Sequence, residues 1–172
     1  MGSSAGIRTI RNMGDLLERL SRPLGETGQE EVVDFIGILA SPKQAGNCID
    51  ILMRHCPKVV VINRALDRFS VLHNTNRHDA WVNALFFAAE ALWQDGIWAT
   101  PNDDGMPSWL QRLYQQAFSR ECQFKRSQVG LINLYRRYAP VTLSSADFGL
   151  TPANLQKLGL PEEVVQSFSV AN

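Results

Sequence analysis

The stretch Asp79 to Gln94 constrains the fold more than any other part of the chain. Nearly every position in it is apolar, from Ala80, Trp81 and Val82 through Phe86 and Phe87 to Leu92 and Trp93. A helix that is apolar almost all round belongs at the centre of a helical domain rather than on its surface. Its few polar residues still align. At about 100° per residue, Asp79, Asn83, Glu90 and Gln94 fall within roughly 60° of one another, and Phe86 projects into the same stripe. This stripe reads as a narrow solvent seam or a docking face, with Asn83, Phe86 and Glu90 as candidate partner-binding residues.

The segments on either side carry helical signals. Leu16, Leu17 and Leu20 share a face before Arg22-Pro23, Gly25 and Gly28 end the first short helix. Val32, Phe35, Ile36 and Leu39 follow the i, i+3, i+4, i+7 pattern over Gln29 to Ala40. Ser41-Pro42-Lys43-Gln44 combines a capping residue, a proline at the first helical position and the closing residue of a capping box. That helix should run to about His55 and stop before Pro57.

Lys58 to Ile62 is strand-like in composition. Ala65, Leu66, Phe69 and Leu72 nevertheless continue at helical spacing, and a lone strand has nothing to pair with, so a buried helix from about Val59 to Leu72 is favoured. Further helices follow from Ser108 and from about Gln128 to Tyr138. Thr151-Pro152 and Leu160-Pro161 each open a brief helix near the end. The expected architecture is all-α, with about seven to nine helices in one compact domain over 13–172. A flexible tail precedes it at 1–12, and a short helical hairpin closes it at 145–172.

Composition agrees with one domain. The chain has 172 residues, 45% of them apolar, enough for a continuous core without metals or disulfides. Three cysteines, Cys48, Cys56 and Cys122, suit buried thiols in a reducing compartment. The longest apolar run, Ala84 to Ala89, is far short of a membrane span, which points to a cytoplasmic protein. Met1-Gly2 resembles the start of a myristoylation signal, but Gly6 stands where that signal wants serine or threonine.

Formal charge is zero, with 17 basic and 17 acidic residues, which argues against a globally basic nucleic-acid binder. Charge is nonetheless unevenly spread. Between Gly105 and Pro140, Arg112, Arg120, Lys125, Arg126, Arg136 and Arg137 face a single acid, Glu121. The segment from Met13 to Ala40 leans the other way through Asp15, Glu18, Glu26, Glu30, Glu31 and Asp34. The basic segment, beside Trp109, Tyr114, Phe124, Tyr135 and Tyr138, could hold a phosphate backbone and stack bases. It could equally meet the acidic helices, within one molecule or between two.

Catalytic and metal signals are sparse. The spacings of Cys48, His55, Cys56, His73 and His78 match no compact zinc geometry, and no metal or cofactor is expected. Asp103-Asp104 lies in a Pro/Gly-rich stretch and reads as turn chemistry. Arg68 and His73 are separated by four residues, an Arg-x4-His pattern similar to that of the helical HEPN ribonucleases. The resemblance covers these six residues, with Phe69 where that family usually has a polar residue. It implies an arginine and a histidine acting on a ribose 2′-hydroxyl at a dimer interface. Trp93 to Trp98 resembles in part a Trp- and Gly-containing segment of the helical apoptosis-regulator family, at a shorter spacing. Both tryptophans are expected to pack in the core and an adjoining loop.

The leading expectation is a non-catalytic helical protein that binds another protein, or itself, through an aromatic-bearing face and complementary charged patches. An RNA- or DNA-binding protein using the 112–137 surface is the alternative, and a small helical ribonuclease a more distant one.

Overall fold

The sequence cues for helices resolve into nine α-helices and one 3-10 turn, with no strand among the described residues. The computed structural model describes residues 10–72, 76–94, 108–123, 125–139 and 144–168. Of the expected tail at 1–12, residues 1–9 lie outside the described residues; Ile10 is buried, and the Asn12 side chain caps α1 (Met13–Leu20) by accepting from the Asp15 amide.

Helix α2 (Glu26–Ile38) begins a turn earlier than the apolar pattern indicates, and Gly28 lies inside it rather than ending its predecessor. A Cβ at Gly28 would sit 2.7 Å from Arg19 Nη2, so this glycine permits a close approach between α1 and α2. The capping box at Ser41 forms as expected and starts α3 (Pro42–His55). Lys58–Val71 is helical throughout and forms α4, with Val61 and Ile62 fully buried. Its β-branched run fills a core-facing stripe, where packing outweighs its modest intrinsic helix propensity.

Helices α2 and α4 run parallel. Arg64 meets Glu26 and Glu30, Arg68 meets Asp34, and Leu72 packs over Gly37, so residues ascend together along both. Helix α5 (His78–Gln94) is the hub. It lies closest to α3, where a Cβ at Gly46 would stand 2.9 Å from both Asn83 and Phe87. Phe86 fills the space over Gly130 of α7 (Lys125–Tyr138) on another side. Trp81 Nε1 donates to Gly37 O at 3.1 Å, tying the start of α5 to α2.

Helix α6 (Ser108–Ala117) brings Trp109, Leu110, Leu113 and Tyr114 into the same core. The 3-10 turn Ser145–Phe148 inserts Phe148 beside Tyr114 and Tyr135. Gly149 follows it at φ 79°, a left-handed position that favours glycine. Helices α8 (Pro152–Lys157) and α9 (Glu162–Gln166) pack on each other and contribute Leu155, Leu158 and Val165 to the core. No helix among the described residues is long and apolar enough to cross a membrane.

Candidate functional site

Four acids of the N-terminal segment are ion-paired locally. Arg64 lies 2.8 Å from Glu26 and 3.3 Å from Glu30, Arg68 Nε lies 2.6 Å from Asp34, and Arg19 lies 3.2 Å from Glu31. The Arg64 guanidinium, hydrogen-bonded to Glu26, holds that carboxyl below the usual carboxylate range. The acids of α2 therefore have partners on α1 and α4, and the basic segment does not supply them. This corrects the intramolecular form of the expectation, in which the acidic helices meet the basic segment within one molecule.

The six basic residues divide. Arg112 on α6 turns toward α4, 2.6 Å from Asp67. Arg120 stands in the α6–α7 connection, close enough to His78 to disfavour its protonation. The other four lie on α7, which starts three residues before its apolar pattern and so takes Lys125 and Arg126 into the helix.

The orientation of α7 follows from its inner face. Ser127, Gln128, Leu131, Ile132 and Tyr135 are buried. Ser127 Oγ donates to Asn83 Oδ1 at 2.8 Å, and Gln128 Nε2 donates to the Ala117 and Arg120 carbonyls at 3.0 and 3.3 Å. With that side fixed, 100° per residue sets the outer one. Lys125 and Arg136 fall about 20° apart, Arg126 and Arg137 likewise, and all four lie within roughly 120°. The pairs are separated by eleven residues, or about 16 Å along the axis. Asn133 lies between them, and no acid occurs on the helix.

Arg126, Arg136 and Arg137 are exposed; Lys125 is half-buried and lies 3.3 Å from Glu121, also bonding the Cys122 carbonyl. Cations in the last turn complement the helix dipole, whereas those in the first turn oppose it at a cost of a few tenths of a kcal/mol. Lys125 and Arg126 are thus placed where helix stability alone does not favour them.

The aromatic residues predicted beside this surface are mostly structural. Trp109, Tyr114 and Tyr135 are core residues, and Tyr114 Oη donates to Leu131 O at 2.7 Å. Tyr138 is the exception. It is 40% exposed, under the Arg137 guanidinium at 5.2 Å and against Trp93. Phe124 lies outside the described residues.

The predicted partner-binding stripe on α5 does not survive as one surface. Asn83 is buried, donating to Pro42 O at 2.5 Å and accepting from Ser127, so it bridges α3 and α7. Phe86 packs over Gly130, and Asp79 accepts from the Gln123 amide at 3.1 Å. Glu90 alone of the three candidates is exposed. The polar stripe is the line along which α5 receives α7, with hydrogen bonds replacing part of the apolar packing.

In the Arg-x4-His pattern, Arg68 is engaged with Asp34, while His73 lies outside the described residues. The Asp103-Asp104 pair lies outside them too. Among the described residues no three metal-ligating side chains gather. Cys48, Cys56 and Cys122 are all buried, and none of the three is in a disulfide. Burial pushes the Cys48 thiol up to about 12.

A feature absent from the sequence reading is a cleft of about 410 Å³ between α4, α5 and α6. Its floor is Phe69, Trp81, Val82 and Leu85, with Phe69 and Trp81 stacked at 5.2 Å. Gln115, Gln116 and Ser119 line the rim together with Arg112 and Arg120. His78, 7% exposed, enters the wall with its Nε2 buried and without a hydrogen-bond partner. No spacing rule announces this cleft, because its residues come from three helices and most match ordinary core positions.

No family model, no curated protein and no solved structure matches the chain.

Proposed function

We propose that this is a binding protein that holds a polyanion, the backbone of a nucleic acid, along the outer face of α7. The observation that carries the reading is the exposed row Arg126, Arg136 and Arg137, with half-buried Lys125 beside it, on a helix that carries no acid and whose rotation is fixed by buried hydrogen bonds. A spacing of about 16 Å between the two basic pairs matches several phosphates of a strand or one groove edge, so both pairs can be engaged at once. Tyr138 supplies one exposed ring at the end of the row. The reading requires only modest affinity and little base selectivity, since phosphate contacts position but do not specify.

The test is salt-dependent fluorescence anisotropy with a labelled 20-nucleotide single-stranded RNA and its duplex. Removing two phosphate contacts in Arg136→Ala/Arg137→Ala should weaken binding and flatten the log K against log salt slope by about 1.4 on single strands. An unchanged slope overturns the assignment to α7.

A second reading, protein–protein association, has its own support. Ile38, Leu39 and Val71 are 47%, 53% and 69% exposed at the shared C-terminal end of the parallel pair α2 and α4. Large exposed aliphatic residues gathered at one end favour a protein partner or a second copy over a phosphate backbone. Light scattering over a hundredfold concentration range, with Val71→Glu beside wild type, separates self-association from a monomer.

A further inference from the structure

We infer that the polyanion on α7 is a single-stranded nucleic acid, one of whose bases stacks on Tyr138 while the adjoining phosphates lie on Arg136 and Arg137. The inference rests on the α7 reading and names the ligand class of that same surface. Three observations carry it.

The first is exposure. Among the described residues Tyr138 is the one exposed aromatic side chain, at 40%, whereas Trp109, Tyr114 and Tyr135 are closed into the core and offer a ligand no surface.

The second is that the ring is held in place. Trp93, near the end of α5, packs against Tyr138 with centroids 4.3 Å apart and planes tilted by 32°, so one side of the ring is backed. A ring ordered before binding loses little freedom when a base lands on it. The Arg137 guanidinium lies over the ring at 5.2 Å, looser than the about 3.5–4 Å of direct contact. Its side chain is exposed and free to turn toward a phosphate, or to remain as a second flat surface, since bases stack on guanidinium planes as they do on rings.

The third is the placement of charge. Tyr138 follows Arg137 by about 100° around the helix, so it stands beside the basic row rather than in it. Glu90, exposed one turn before Trp93 on α5, adds an acid on the Tyr138 side. Phosphates are therefore favoured along the row and opposed beside the ring, whereas an uncharged base meets no such opposition. A backbone laid along Arg126 and Arg137 can turn a base off the row onto Tyr138 only if that base is unpaired. A duplex keeps its bases stacked inside and must open to supply one, which a single strand does not.

Stacking releases no counterions, so it separates from the phosphate contacts by its salt dependence. The test measures anisotropy for the 20-nucleotide single-stranded RNA, its duplex and an abasic phosphodiester strand of the same length, over a range of salt. Tyr138→Ala and Tyr138→Phe are first shown to keep the wild-type amide spectrum away from residue 138. Tyr138→Ala should weaken the single strand about five- to tenfold at every salt concentration, the lower end of what one stacked base contributes, with the slope unchanged. The duplex and the abasic strand should bind this variant within twofold of wild type, and Tyr138→Phe, which keeps the stacking face, should bind the single strand within twofold. Wild-type affinity of Tyr138→Ala for the single strand overturns the inference and leaves the α7 reading standing. So does an equal loss on the abasic strand or the duplex, which would make the ring a brace for the helix end. Absence of wild-type binding to all three strands at low salt overturns the α7 reading itself, and the inference with it.

Discussion

Asn83 separates the two ways of seeing α5, as a helix with an open docking face or as a hub closed on all sides. The structure buries it to 6% exposure between Pro42 O at 2.5 Å and Ser127 Oγ at 2.8 Å. Each neutral buried hydrogen bond contributes about 0.5–1.5 kcal/mol net, and stranding a partner in a dry site adds about 1 kcal/mol. Asn83→Ala removes both bonds at once, so the expected loss is about 2–4 kcal/mol. For a chain of this size that lowers Tm by roughly 4–16 °C. Urea unfolding of Asn83→Ala, Ser127→Ala and the double variant measures the coupling, expected at about 0.5–1.5 kcal/mol. Glu90→Ala, on the exposed end of the same stripe, should stay within about 0.5 kcal/mol of wild type. If Asn83→Ala is as stable as Glu90→Ala, the bridge between α3 and α7 is wrong and the stripe is open to solvent.

Three further outcomes follow from the packing and the titrating groups. His78 is held below its ordinary value, first by burial and then by the Arg120 charge, so the unfolded chain binds a proton that the folded chain resists. Stability should therefore be full above about pH 6.5 and fall as pH drops below it, with a slope of at most about 1.4 kcal/mol per pH unit, and His78→Gln should lack that component. Gly46→Val places methyl groups where a Cβ already meets Asn83 and Phe87 at 2.9 Å, and should cost about 1–3 kcal/mol in chemical denaturation. The buried thiols Cys48, Cys56 and Cys122 should resist a thiol-specific reagent at pH 8 in the native protein and react together in denaturant; rapid native labelling of Cys48 contradicts its burial.

Much of the fold was legible because its signals are local. The capping box at Ser41, the helical spacing that overrides the β-branched run at 58–62, and the apolar circumference of α5 each depend on neighbours within a few turns. The site was less legible because it depends on partners distant in sequence. Arg112 reads as one of six equivalent cations until Asp67, forty-five residues away, takes it. Asn83 reads as surface until Pro42 and Ser127 close over it. The glycines show the same limit. Gly46 and Gly130 look like weak points in helices, yet each marks where another helix comes within a side chain's width. The buried aromatic residues around Tyr114 could not be told from a stacking platform by composition, because both uses demand the same residue types.

The most direct test of the polyanion reading maps the contact rather than its strength. Amide chemical-shift changes in ¹⁵N-labelled protein, titrated with a ten-nucleotide single-stranded RNA at low salt, should concentrate on 125–138. They should collapse as salt rises. Changes centred instead on Ile38, Leu39 and Val71, or no changes at all, contradict it.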